Sequence, residues 1–323
     1  MNRIVAVSLI VCGLLGAMEQ KQLLKTTQIE QQVLGYASKT GKIITKKECP
    51  DASFGDVAVS PSGEFLAIMK GDWLSVARVG KEGSTAIGEP VRIKKFAGSL
   101  LFLDDVRFLI FREHSFKEYA ITQNDYGSYS FNRVSKTVYE EGDLFAKMPL
   151  CEPGALLANI CIVPLHQKST EKSYLQSFQK LSGSWSSANL SASDITERFI
   201  GSVSNKTCVV GNPETGVLDW LLYFDENNPH DMSKGDCFIF EKMCFVSVAS
   251  KILCIGYTDR SSSELYTMAS KKPSLIANIP IAGTAIRKVF WKDDGSECLV
   301  VKHDGESYLI SDIPVISDIA DND

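Results

Sequence analysis

The stretch "GYASKTGKI" at 35–43 has the ingredients of a phosphate-binding loop: glycines, lysines and hydroxyls close together. Such a loop needs four residues between its glycines and a Ser or Thr directly after the Lys, so that backbone N–H groups converge on phosphate and a hydroxyl reaches magnesium. Here five residues separate Gly35 from Gly41, and Ile43 follows Lys42. The stretch is therefore expected to be a lysine-rich hairpin turn. The histidines His114, His166, His230 and His303 are scattered, with no H-E-x-x-H pair and nothing adjacent to orient them. No G-x-S-x-G elbow is present for a hydrolase nucleophile. The polar stretch "FDENNPHDMSKGD" (224–236) places Asp225, Glu226, Asp231 and Asp236 together, but not at the spacing of a calcium loop, and reads as a solvated connection. The sequence thus assigns no catalytic, cofactor-binding or metal-binding residue, and no cofactor.

Cysteine use adds little chemistry. The nine cysteines include no C-x-x-C pair, so a zinc ribbon or a thioredoxin-like motif has no support. Cys208, Cys254 and Cys298 lie in the apolar runs "TCVV", "LCIG" and "ECLVV", where a free thiol behaves as a small buried hydrophobe. An even count of eight would remain if Cys12 were removed with a leader, which is the arithmetic of a disulfide framework. A chain of 323 residues does not need such staples.

The elements that would position any site are strands. Polar turns recur along the chain at "SPSG" (60–63), "LDD" (103–105), "EPG" (152–154), "SNK" (204–206), "ASK" (249–251) and "KDDG" (292–295), about every 40–50 residues. Each is flanked by apolar runs, as in "FLAIM", "RFLIF" and "CLVV", and a third run often follows. The third copy is the poorest, because "AKMPL" barely reads as a strand. A small sheet of this size cannot bury both faces alone. Packing such sheets face to face around an axis buries them and leaves only short edges. The prediction is an all-β chain forming a single β-propeller of about six four-stranded blades, over residues 31–316. Seven blades follow if residues 31–50 make a blade of their own. A pair of β-sandwiches is the competing architecture. An N-terminal strand is expected to complete the last copy, which shows only three. Phe65, Leu66, Leu109, Ile110, Leu299 and Val300 are predicted to be buried between blades.

The turns "VSPSGEFLAI" (59–68) and "WKDDGSECLVV" (291–301) resemble the polar turn of WD-repeat-like (WD40-like) propellers, and "FLDDVRFLIF" (102–111) does so less closely. No copy has the Gly-His start or Trp-Asp end of that family's best-known version, so the tetrad those residues make is not carried over. The resemblance implies a scaffold for binding partners and names none.

The ends differ from the body. "MNRIVAVSLIVCGLLGA" has a short basic start, an apolar core and small residues at its end, the pattern of a secretory signal cut after Ala17. It is short for a membrane span, which needs about 20 residues. An uncleaved anchor, a buried strand and lipidation at Cys12 are the competing readings. Residues 18–30 form a polar segment, with a short helix expected over 18–32, and 317–323 is an acidic tail. The Ser-rich segment 182–194 is a candidate partner-facing loop. Net charge −5 and a pI near 5.5 argue against nucleic acid. The expected protein is an exported, monomeric, non-enzymatic protein-binding scaffold with no membrane span once the leader is removed. The alternative is a propeller enzyme, a hydrolase or lyase, with its site in the axial channel. Carboxylates and histidines converging at one end of that channel would favour the enzyme, and an apolar, filled channel would oppose it.

Overall fold

The computed structural model describes residues 24–314, apart from 95, 140–143, 147–153, 171, 189–199, 205–206, 213, 225–231, 235–237 and 269–272. The strands form six antiparallel blades and one two-stranded hairpin. Blade 1 comprises Val57–Val59, Phe65–Lys70, Trp73–Val79 and Ser84–Arg92, in order from the axis outward. Blade 2 comprises Phe96–Phe102, Arg107–Arg112, Ser115–Gln123 and Tyr129–Val138. Blade 5 comprises Met243–Ala249, Ile252–Tyr257, Ser263–Thr267 and Ser274–Ile279. Blade 6 takes Ile286–Trp291, Cys298–Lys302 and Ser307–Ser311 from the C-terminal end of the ring, and Lys25–Ile29 as its outer strand. That last pairing runs from Lys25 opposite Ser311 to Ile29 opposite Ser307 and closes the ring.

Blades 3 and 4 are irregular at one edge. In blade 3, two short pieces, Leu144–Ala146 and Gly154–Leu157, share the inner edge of Ile160–Gln167, with Lys172–Leu181 and Ser184–Ala188 outside. In blade 4, Ile200–Val203, Thr207–Gly211 and Val217–Phe224 are followed by an outer edge split into Met232–Lys234 and Phe238–Ile239.

The hairpin Val33–Tyr36 and Ile43–Thr45 sits between blades 6 and 1. Its first strand neighbours the inner strands of both, so it occupies a place in the inner ring without growing to a full blade. The apolar clusters show how it is held. Leu34 and Ile44 pack with Leu66 of blade 1, while Val33 and Tyr36 pack with Leu299 and Val301 of blade 6. "GYASKTGKI" is the turn of this hairpin, as expected for a lysine-rich turn.

The burial predictions hold and explain the unbroken apolar runs. Phe65 faces blade 2 while its neighbour Leu66 faces the hairpin; Ile110 faces blade 1 while Leu109 faces blade 3. Leu299 faces the hairpin while Val300 faces blade 5. All six are at most 2% exposed. Successive side chains on a strand point to opposite faces, so a strand covered on both faces needs apolar residues at every position. Leu299→Ala is expected to lower stability by about 3 kcal/mol, through lost transfer energy and the cavity left behind. Urea denaturation checks this, and an unchanged midpoint would move Leu299 out of the interface.

Three expectations are revised. The helix expected over 18–32 is strand in its described part, Lys25–Ile29, so the ring begins at Lys25 rather than at residue 31. The turn of the third copy falls at Ala158–Asn159, between Gly154–Leu157 and Ile160–Gln167, and not at "EPG". The loop expected over 182–194 is strand at Ser184–Ala188, the outer strand of blade 3. The segments 1–23, 189–194 and 315–323, Asp225, Glu226, Asp231, Asp236, His230, Cys12, Cys151 and Cys237 lie outside the described residues. No helix among the described residues is long and apolar enough to cross a membrane.

Candidate functional site

The inner strands surround an axial channel of about 820 Å³. Its walls are mixed: Leu101, Val203 and Val246 stand beside Ser202, Ser247 and Trp291. Among the described residues, neither of the two arrangements that would separate the enzyme and scaffold readings most sharply is present. The channel is not a filled apolar core. Nor do its ends bring carboxylate and histidine together: the lining carboxylates Asp104 and Asp293 are at the mouth formed by the repeated turns, and His303 is at the other. Beside His303, the second mouth carries Arg287 and Lys288. Arg287 lies 4.4 Å from the ring centre of Phe54, and Lys288 lies 5.0 Å from that of Phe290. His166 is buried on Ile160–Gln167, and His114 lies in the turn after Arg112, against Glu113 at 3.4 Å. No group of three metal-ligating side chains occurs among the described residues.

At the turn mouth the polar residues bond from one blade to the next. Asp293 N donates to Ser38 O at 2.9 Å, joining blade 6 to the hairpin, and Lys39 N donates to Pro61 O at 2.9 Å, joining the hairpin to blade 1. Ser62 N donates to Asp105 Oδ1 at 2.7 Å, joining blades 1 and 2, and Arg107 Nη2 donates to Ala158 O at 3.2 Å, joining blades 2 and 3. Thr207 Oγ1 donates to Ser250 O at 2.7 Å, joining blades 4 and 5, and Trp291 Nε1 donates to Ser247 Oγ at 2.8 Å, joining blades 5 and 6. Between blades 3 and 4 the contact is close packing. A Cβ on Gly154 would fall 2.3 Å from Val203 Cβ, which only glycine avoids. The sequence repeats of turn residues follow from this girdle and from the turns themselves, where Gly63 and Gly295 hold φ of +76° and +74°.

Two carboxylates of this mouth, Asp104 and Asp105, are engaged. Asp104 accepts from Arg107 Nε at 2.6 Å and from the Val106 and Arg107 amides. Asp105 meets Lys39 Nζ at 2.8 Å. Burial pushes the Asp105 carboxyl up, but Lys39 and the Ser62 donors outweigh it and hold the group below the ordinary carboxylate value. A carboxylate depressed in the folded state contributes stability above its unfolded pKa of about 3.9, and loses it as pH falls through the lower folded value. Asp105→Asn is therefore expected to flatten the fall in stability below about pH 4. Thermal unfolding from pH 5 to pH 2 checks this, and an unchanged profile would mean the girdle bond is not held in solution.

The buried thiols stay out of the site's chemistry, while the half-buried Cys244 lines the channel, its Sγ donating to Gly256 O at 3.4 Å. The described cysteines Cys49, Cys161, Cys208, Cys244, Cys254 and Cys298 are all free, and all but Cys244 are buried. Burial pushes the Cys208 and Cys254 thiols up to about 12, far from the reactive thiolate at neutral pH.

A second polar network lies between blades 2 and 3. Glu118 is fully buried and accepts from Lys180 Nζ at 2.7 and 2.8 Å, from Trp185 Nε1 at 2.9 Å and from Ser135 Oγ at 3.2 Å. Its one sequence signal is a charged residue at a core-facing position of the strand "SFKEYAITQ".

No protein-family model matches the chain, and no curated protein matches its sequence. Solved structures do resemble it. The β-propeller domain of Cps50 (Swd1) from Myceliophteria thermophila superposes with a TM-score of 0.51 at 10% identity, over 79% of this chain and 82% of that one. The WD40 domain of SCAP from fission yeast gives 0.51 at 9% identity, over 93% of this chain and 100% of that one. Hsv2 from Kluyveromyces lactis gives 0.50 at 12% identity, over 81% and 74%. At these identities the likeness establishes the fold alone: a β-propeller.

Proposed function

We propose that the chain is an exported, monomeric, non-enzymatic scaffold that binds a protein partner and not nucleic acid, built on a divergent WD40-like propeller without Trp-Asp dipeptides. The observation that carries this reading is the use made of the polar residues around the channel. They tie blade to blade, and the described carboxylates and histidine of the channel stand at opposite ends. Scaffolding is also a common use of WD40 folds, which is support by analogy of fold. The apolar, small-ended N-terminus supports export.

The test is capture of partners by the tagged full chain from its native source, read by mass spectrometry, which also reports whether the chain starts at Met18. A reproducible stoichiometric protein partner supports the scaffold. The open channel favours a second reading, a hydrolase or lyase site there. Substrate turnover that a substitution at Arg287 or His303 abolishes would establish that reading and overturn the first.

A further inference from the structure

Arg112, Lys117, Arg133 and Lys136 form no basic run in the sequence, and the sheet brings them onto one face of blade 2. Lys117 and Lys136 are directly opposite one another in the outer strand pair, and Tyr119 is opposite Arg133 across a bulge. Lys117, Tyr119 and Ser115 share a face by alternation. Arg112 is opposite Ser115, with Nη1 3.5 Å from its hydroxyl, and so joins the same face. Closer to the middle of the blade this face is Phe108, Ile110 and Tyr119, packed against blade 1. Where that cover ends, Arg133 and Lys136 are exposed and Arg112 and Lys117 are half-buried.

Among the described residues no acid answers these charges. Burial, then Arg112, Arg133 and Lys136, push the Lys117 ammonium below its ordinary value, and no carboxylate acts on it. Glu118 points to the opposite face, toward Lys180 and Trp185, and Glu113 in the adjoining turn lies against His114 at 3.4 Å. Among the described residues none of the four cations forms an ion pair. Like charges directly opposite in a sheet are destabilising. In a chain of net charge −5, a concentrated basic face of this kind attracts an anionic partner.

The spread of the charges selects the kind of anion. Arg133 and Lys136 are three residues apart on one strand, about 10 Å, and Arg112 lies two strands further in, at about 4.8 Å per strand. One phosphate cannot reach across that span. An extended peptide presents side chains to one face about every 7 Å. The strand Tyr129–Val138 is paired on one side only in its sheet and offers a free edge for such a segment. We propose that this face of blade 2 docks an extended acidic segment of a partner protein, with its carboxylates on Arg112, Lys117, Arg133 and Lys136. The proposal rests on the scaffold reading above and names the chemistry of the partner.

The experiment is fluorescence anisotropy of a labelled oligoglutamate peptide titrated with the chain from Met18 to Asp323. Binding is expected to weaken at least about tenfold with Lys117→Glu and Lys136→Glu together. It is also expected to weaken with added salt, and to be unaffected by Lys81→Glu, an exposed cation of blade 1. Lys136→Ala alone, at an exposed position, should weaken binding without altering the melt, which separates binding from folding. Equal affinity of wild type and the double variant, or no binding of the peptide, overturns the proposal. So does displacement of the peptide by equimolar inorganic phosphate, or binding to phosphatidylserine vesicles in its place. In partner capture, a protein retained equally by wild type and the double variant would leave the scaffold reading standing and overturn this one alone.

Discussion

Glu118→Ala is expected to cost about 4 kcal/mol of stability, read as a lower urea midpoint with an unchanged slope. Glu118 is fully buried and its partners belong to two blades: Ser135 and, at 3.7 Å, Arg107 in blade 2, and Lys180 and Trp185 in blade 3. Removing the carboxylate leaves the Lys180 ammonium, itself only 12% exposed at its side chain, with no counter-charge in a low-dielectric gap. It also leaves the Trp185 indole N–H without its acceptor and opens a cavity beside Phe116, whose ring centre is 5.6 Å from that of Trp185. Most of the loss is the penalty on the abandoned partner rather than the net worth of the pair. The double variant Glu118→Met with Lys180→Met should therefore recover much of it, since apolar replacement of both members of a buried pair is often neutral. A single variant within 1 kcal/mol of wild type, or a double variant worse than the sum of the singles, would show that the network is solvated.

The sequence made some of this visible and hid the rest for physical reasons. Runs such as "FLAIM" and "CLVV" were legible because both faces of those strands are covered, so apolar side chains occupy consecutive positions. The turns "SPSG" and "KDDG" were legible because a positive φ selects glycine there. The third copy misled because "ALLANICIV" contains two strands and a turn made only of Ala158 and Asn159, with no charge or glycine to mark it. Its inner strand is also broken in two, so no single run represents it. The channel and the basic face of blade 2 draw on residues far apart in the chain, and only the sheet registers join them. Arg112 and Lys136 are brought together because Ser115 pairs with Arg112 on one side, while Lys117 pairs with Lys136 on the other.

The ring-closing strand was the least legible element, and removing it is expected to have the larger effect. A chain beginning at Val33 should be about 5 kcal/mol less stable than one beginning at Met18, counting roughly 1 kcal/mol per lost backbone hydrogen bond and the apolar contacts below. "KTTQI" carries no apolar pattern because it is an outer strand, exposed along nearly its whole length. Its information lies in the backbone pairing with Ser307–Ser311, and a sequence does not display backbone pairing. Two flanking side chains add to the ladder: Ile29 packs with the cluster of Leu299 and Tyr36, and Leu24 with that of Cys298 and Ile310. Without the strand, Ser307–Ser311 becomes a free edge, and the two ends of the ring are joined through the hairpin between blades 6 and 1, by its packing and by the Asp293–Ser38 and Lys39–Pro61 backbone bonds. The loss should therefore be uneven. Amide hydrogen exchange should speed up first in blade 6 and the hairpin, while blades 2 and 5 stay protected, because each is closed by strands continuous with its own core. Uniform deprotection of all blades would mean that the ring unfolds as one unit with the strand. Unchanged exchange at Ser307–Ser311 would mean that Lys25–Ile29 does not close the ring in solution.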